Sequence, residues 1–144
     1  MQLSNHFSLE EFTRSEIAAR KGISNSPPPS IITNMHDTAN RMEIVRSTLG
    51  NKPITIFSCY RSPRVNTAVG GSHSSSHLEG RAVDFVVAGL SIRKIIDIIE
   101  STDLSFDQLI DEFNSWVHIG FGSKMRRQIL SARKKSGTTI YTEI

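Results

Sequence analysis

Apolar residues recur along the chain in two rhythms, one helical and one of strands, and the helical rhythm comes first. In Phe7-Ser8-Leu9-Glu10-Glu11-Phe12, Ser8 and Glu11 have capping-box spacing and Phe7 and Phe12 have staple spacing. A short helix is predicted there, ending near Gly22. Ser26-Pro27-Pro28-Pro29 reads as a rigid linker. Ser30 is then placed to cap a longer helix. Its apolar face is Ile31, Ile32, Met35, Ala39, Met42, Val45 and Leu49, and Gly50 closes it.

Strands dominate afterwards. Pro53 to Ser58 and Ala82 to Val87 are β-rich runs. Between them, residues 61–80 are rich in Ser, Gly and Arg with little periodicity, which predicts a long functional loop. Ser91 to Ser101 is an amphipathic helix with Ile92, Ile95, Ile96 and Ile99 inward. Phe106 to Phe113 and Trp116 to Phe121 read as two strands around a tight Asn114-Ser115 turn. A last hairpin joins Gln128–Ser131 to Thr138–Thr142. The expected class is α+β with an antiparallel sheet. The 144 residues suit one domain, with the N-terminal helix and Pro-rich linker (about 1–29) packed on it.

Composition narrows the chemistry. Cys59 is the single cysteine, so neither an internal disulfide nor a cysteine-based zinc site is available. Any metal must be held by His, Asp or Glu. The net charge is +3, and Lys124, Arg126, Arg127, Arg133, Lys134 and Lys135 concentrate positive charge late in the chain. That stretch lacks interleaved aromatics until Tyr141 and carries no nucleic-acid motif, so no nucleic-acid partner is expected. No apolar run approaches the roughly 18 residues that span a bilayer. The N-terminus Met1-Gln2-Leu3-Ser4-Asn5 lacks the features of a secretory signal. The expectation is a monomer made in the cytoplasm.

Three short motifs carry candidate chemistry. Ser75-Ser76-His77 is followed, six residues beyond the His, by Asp84 within an apolar strand. A carboxylate between Val83 and Phe85 is costly unless something pairs with it. Trp116-Val117-His118 supplies a second imidazole. Two imidazoles and a carboxylate suit a catalytic zinc, which keeps a position open for water. The third motif is Tyr60-Arg61-Ser62-Pro63.

In this order the motifs resemble the zinc D-alanyl-D-alanine carboxypeptidase family. That group also holds vancomycin-resistance D,D-dipeptidases and phage L-alanyl-D-glutamate endolysins. The likeness is strongest to its short phage-type subfamily, and runs from Phe7-Ser8-Leu9 to Ile129-Leu130. The resemblance implies a hedgehog/D,D-peptidase-like α+β fold with zinc on an antiparallel sheet. It implies hydrolysis of a peptide bond in peptidoglycan, after release by lysis or as part of a virion. It makes His77, Asp84 and His118 the metal ligands, and gives Arg61 to the substrate carbonyl oxygen or a nearby carboxylate.

The sequence departs from better-known members at the general base. They carry Glu, Asp or His three residues before the last ligand, and here that residue is Ser115. The nearest carboxylates are Asp111 and Glu112. A two-residue turn would pair Asp111 with His118, and a three-residue turn would pair Glu112 with it, so spacing does not choose. The subfamily's recurring acidic residue before Trp-x-His places Glu112 first. His73 and Ser75 are candidates for touching substrate. Trp116 reads as core packing, and Cys59 as a small buried side chain. The rival reading is a catalytically inactive metal-binding module that anchors to the wall or belongs to a virion.

Overall fold

The computed structural model describes residues 1–144. The N-terminal pattern forms as two helices, not one. Helix α1 is Leu9–Thr13 and α2 is Glu16–Lys21. Ser8 and Glu11 close a reciprocal capping box, and the Phe7 and Phe12 rings stand 5.8 Å apart. The break comes at Arg14 in an extended conformation, because Ser15 caps a new helix through Ala18 N. Gly22 ends α2 at φ 64°.

Helix α3 is Pro29–Thr48. It starts on Pro29 without a side-chain cap, so Ser30 lies inside the first turn and does not cap it. Met35, Ala39, Met42 and Val45 are fully buried along the stripe the periodicity predicts, and Thr38 is fully buried beside them. Helix α4, Pro63–Ala68, falls within the expected loop, started by Ser62 as cap and Pro63 in the first turn. Helix α5 is Ile92–Glu100, with Ile92, Ile95, Ile96 and Ile99 buried.

Six strands form one sheet: β1 Ile54–Ser58, β2 Ala82–Val87, β3 Gln108–Glu112, β4 Trp116–Gly120, β5 Gln128–Lys135 and β6 Thr138–Glu143. Their order across the sheet is β1-β2-β4-β3-β5-β6. The sheet is mixed, which corrects the all-antiparallel expectation: β3 and β5 run parallel and the other pairs antiparallel. The reason is the connection after β4. It crosses back past Phe106 and Asp107, where Arg127 N and Gln128 N donate to their carbonyls, and delivers β5 alongside β3.

Alternation along the strands separates two faces. Val83, Phe85, Leu109, Val117 and Ile119 are buried in the main core with residues of α3 and α5. The opposite face carries Asp84, His118, Ile110 and Glu112 and has only a small apolar cluster of Ile110, Leu130 and Ala132. No helix is long and apolar enough to cross a membrane.

Candidate active site

The site begins where β1 leaves the sheet. Ile56 pairs with Phe85, but Ser58 pairs with Asp84, so a bulge lies between them and turns the chain outward. The turned segment is held by backbone bonds from Tyr60 N to the Phe12 carbonyl (2.9 Å) and from Arg61 N to the His77 carbonyl (3.0 Å). Asn25 fastens it from the linker side. Its amide donates to the Thr13 and Tyr60 carbonyls, and its oxygen accepts from Ser62 N at 2.7 Å. Asn25 carries no signal of this role in the sequence, since one asparagine near a proline run reads as loop.

His77 sits on a short 3-10 turn, Ser76–Glu79, capped by Ser75 and ended by Gly80 at φ 67°. Gly80 is required twice. A side chain there would be strained, and its Cβ would come within 2.7 Å of Met35 Cγ. The Gly80 carbonyl accepts from the buried Thr38 hydroxyl at 2.7 Å, which ties the His77 turn to α3. Ser75 Oγ accepts from His77 N (3.2 Å) and from Arg61 Nη2 (3.3 Å). Ser75 therefore braces both the turn and the guanidinium.

Asp84 and His118 face each other across β2 and β4. Asp84 Oδ1 stands 3.0 Å from His118 Nδ1 and 3.2 Å from His77 Nε2. The donor atoms of His77, Asp84 and His118 all lie within 4.8 Å of one another. His77 Nδ1 contacts the Cys59 carbonyl at 2.7 Å. A carbonyl only accepts, so Nδ1 carries the proton and Nε2 offers its lone pair toward Asp84. A neutral imidazole nitrogen and a carboxylate oxygen facing one another are two acceptors, and a cation between them resolves the conflict. The donor set fits a metal such as zinc.

Burial alone would raise the Asp84 carboxyl, but the two imidazoles outweigh it and hold it below the ordinary range. Burial lowers the His77 pKa despite Asp84. Burial disfavours the His118 cation too, yet the hydrogen bond and charge of Asp84, with Glu112, leave its pKa raised. Burial, helped by the Asp84 charge, raises the Glu112 carboxyl.

The register of the β3–β4 hairpin separates the two carboxylates. Neither pairs with His118, whose partner is Ile110. Glu112 pairs with Trp116, a diagonal step along the same face, and Glu112 Oε1 lies 3.5 Å from His118 Nδ1. Asp111 pairs with Val117 and so stands on the helix-covered face, where it binds Arg133 at 3.0 Å. Asp111 is not in the cluster. Ser115 is exposed in the turn.

Arg61 is within the field of both carboxylates. Burial lowers its pKa against their opposition, and its Nε has no partner. Trp116 is only partly buried, and its ring meets Phe57 and Phe113 edge-on. The indole N–H favours the charged form of Glu112 but forms no well-shaped hydrogen bond. His73 is exposed in the glycine-serine loop and is not one of the three clustered donors. Cys59 is fully buried, and its thiol is pushed up by that burial, so it is no nucleophile. The late basic residues are partly spent inside the molecule. Arg126 binds Asp107, Arg133 binds Asp111, and Arg127 donates to the Leu104 and Thr102 carbonyls.

A family model described as Peptidase M15 matches residues 5–120, most of the chain. The chain belongs to the peptidase M15 family. The match takes in Arg61, His77, Asp84, Glu112 and His118, and it ends at the last residue of β4. The β5–β6 hairpin lies beyond it. No curated protein compared with the chain matches it. M15 membership supports a metal-dependent peptidase, and the His77, Asp84 and His118 cluster is where this M15 chain could hold its metal.

Proposed function

We propose that this M15 chain is a zinc peptidase that hydrolyses a peptide bond in peptidoglycan stem peptides, of the D-Ala-D-Ala carboxypeptidase or L-Ala-D-Glu endopeptidase type. The observation that carries the reading is the sheet face opposite the main core, on which buried His77 and Asp84 and partly buried His118 cluster beside Glu112. The wall substrate is drawn from the resemblance of the motifs. His77 Nε2, one Asp84 oxygen and His118 Nδ1 would hold the ion. Bound zinc supplies Lewis acidity, lowering the pKa of water toward neutrality and polarising a carbonyl.

The chain's own residues do the rest. Glu112 takes a proton from the attacking water and passes it to the leaving amine. Burial of its carboxyl pushes in the direction that exchange needs, because a base of ordinary carboxylate strength is a poor proton acceptor near neutrality. Arg61, with an orientation set by Ser75, donates to the carbonyl oxygen as negative charge builds there. The Cys59 carbonyl keeps His77 in the tautomer that presents Nε2. The protein acts on the wall after lysis or as part of a virion.

Metal analysis with activity tests this reading. The purified protein is expected to hold about one zinc per chain, to lose wall hydrolysis to a chelator and to regain it with zinc. His77→Ala, Asp84→Ala and His118→Ala should each lose the ion. Full zinc in one of these variants would remove that residue from the ligand set. Full activity after complete chelation would refute the metal mechanism.

A further inference from the structure

The sheet register lines up four residues on the open face. Trp116 pairs with Glu112, Glu112 with Ala132, and Ala132 with Tyr141, across β4, β3, β5 and β6. Residues in register share a face. Tyr141 therefore stands on the same side of the sheet as the proposed base, two strands away. At about 4.8 Å per strand that is roughly 10 Å between backbones, much of which a phenol side chain covers. Ala132, the residue between them, has a side chain of one carbon and is buried in a small apolar cluster with Ile110 and Leu130, against which Phe113 packs. Tyr141 is 56% exposed. Burial of its ring raises the phenol pKa, and the charges of Glu112 and Asp84 act in the same direction. None of the influences on that phenol is a hydrogen bond.

The layout gives the site a direction. Arg61 follows the β1 bulge, at the β1–β2 side of the cluster, and His77, Asp84 and His118 come next. Glu112 is on β3, beyond them, and Tyr141 is farther in the same direction. In the proposed reaction Arg61 takes the carbonyl oxygen and Glu112 protonates the amine. The amine half of the substrate then leaves the cluster toward β5 and β6.

We propose that Tyr141 is a substrate-contacting residue, forming the wall of the amine-side subsite and donating its hydroxyl to a carbonyl or carboxylate oxygen of the peptide there. This rests on the peptidase reading above. The hairpin is built to hold such a contact. Six consecutive pairs, from Leu130 with Glu143 to Lys135 with Thr138, fix the position of Tyr141 before substrate arrives. The family match ends at residue 120, so Tyr141 lies outside the matched segment.

The test uses the zinc-loaded full chain and a synthetic stem pentapeptide that contains both an L-Ala–D-Glu and a D-Ala–D-Ala bond. KM and kcat are measured for wild type, Tyr141→Phe and Tyr141→Ala. Binding of the same peptide is measured by calorimetry in Glu112→Gln, with and without Tyr141→Ala. One neutral hydrogen bond corresponds to about two- to tenfold in affinity. Tyr141→Phe should raise KM by about that factor. Tyr141→Ala should raise KM and weaken calorimetric binding by about tenfold or more, as the ring contact goes as well. In both, kcat should stay within about threefold, and zinc content and melting temperature should not change. Wild-type KM and binding in both variants, with wild type active, would overturn the Tyr141 assignment and leave the peptidase reading standing. A fall in kcat at constant KM would overturn it too, since that marks an effect on the base. A zinc-loaded wild type that cleaves neither bond would overturn the peptidase reading, and this inference with it. Should Tyr141→Ala fail to fold, Tyr141→Phe decides, because it alters the hydroxyl alone.

Discussion

Asp111 and Glu112 are neighbours in the chain and stand on opposite faces of one strand, so they make a sensitive pair for locating the base. Glu112→Gln keeps size while removing the proton acceptor, and kcat should fall by roughly 100- to 10,000-fold with zinc retained. Asp111→Asn should stay within about tenfold in rate, since its loss is felt by Arg133 on the far face. Steady-state kinetics with metal analysis checks both, and the reverse order would place Asp111 at the site. Spacing could not have chosen between them. Phe113 and Asn114 both take positive φ (59° and 52°), so the chain turns one residue earlier than an Asn114-Ser115 turn would. A one-residue slip moves every side chain to the other face. An aromatic at positive φ carries no sequence signal, and here Asp111 Oδ1 helps by accepting from Asn114 N at 2.9 Å. The His77, Asp84 and His118 cluster was legible through the resemblance of the ordered motifs, and a strand carboxylate that demands a partner pointed the same way. A second test at this scale is Gly80→Ala. The left-handed backbone and the approach to Met35 together predict a loss on the order of 3 kcal/mol in denaturant unfolding. Weaker zinc binding should accompany it, because the His77 turn must shift. Wild-type stability would mean that the turn relaxes freely.

At the scale of elements, local signals read well and non-local ones did not. Strand β2 follows from its β-rich run and helix α5 from its isoleucine spacing, and Ser91 caps α5 in the structure. Helix α4 was written in Ser62-Pro63, a cap followed by a first-turn proline, but six residues give periodicity too little to show. The parallel β3–β5 pair has no local signature, since the connection that makes it is held by Asp107. The Asp107 carboxylate accepts from Arg126 N, Nε and Nη2 at 3.0, 2.8 and 3.1 Å. The Arg126 hydrogen bond comes first among the causes that hold its pKa below the ordinary value. A depressed carboxylate contributes stability that is present above its unfolded pKa, about 3.9, and is lost as pH falls through the folded value. The wild type should therefore lose stability steeply below about pH 4. Asp107→Asn should be less stable at pH 7 and flatter through that acid range. Denaturant midpoints across pH measure this, and parallel curves for the two proteins would remove Asp107 from the account.

At the scale of the whole molecule, the helices and the chemistry divide the sheet between them. Helices α3 and α5 share the main core with one face, and that burial supplies the bulk of the stability. The other face stays open along Asp84, His118 and Glu112, with loops from β1 and the His77 turn closing one side and the β5–β6 hairpin the other. The class was legible from helices preceding strands, and M15 membership agrees with the order of the motifs. Strand neighbours were not legible, because pairing across the sheet is decided by contacts far apart in sequence. The central claim is that this arrangement cuts peptide bonds of the bacterial wall with the aid of a metal. Mass spectrometry of fragments released from purified peptidoglycan addresses it most directly. The zinc-loaded protein should release stem-peptide fragments cut at one defined amide bond, and Glu112→Gln or the chelated protein should release none. Intact stem peptides after incubation with fully zinc-loaded wild type would contradict the account.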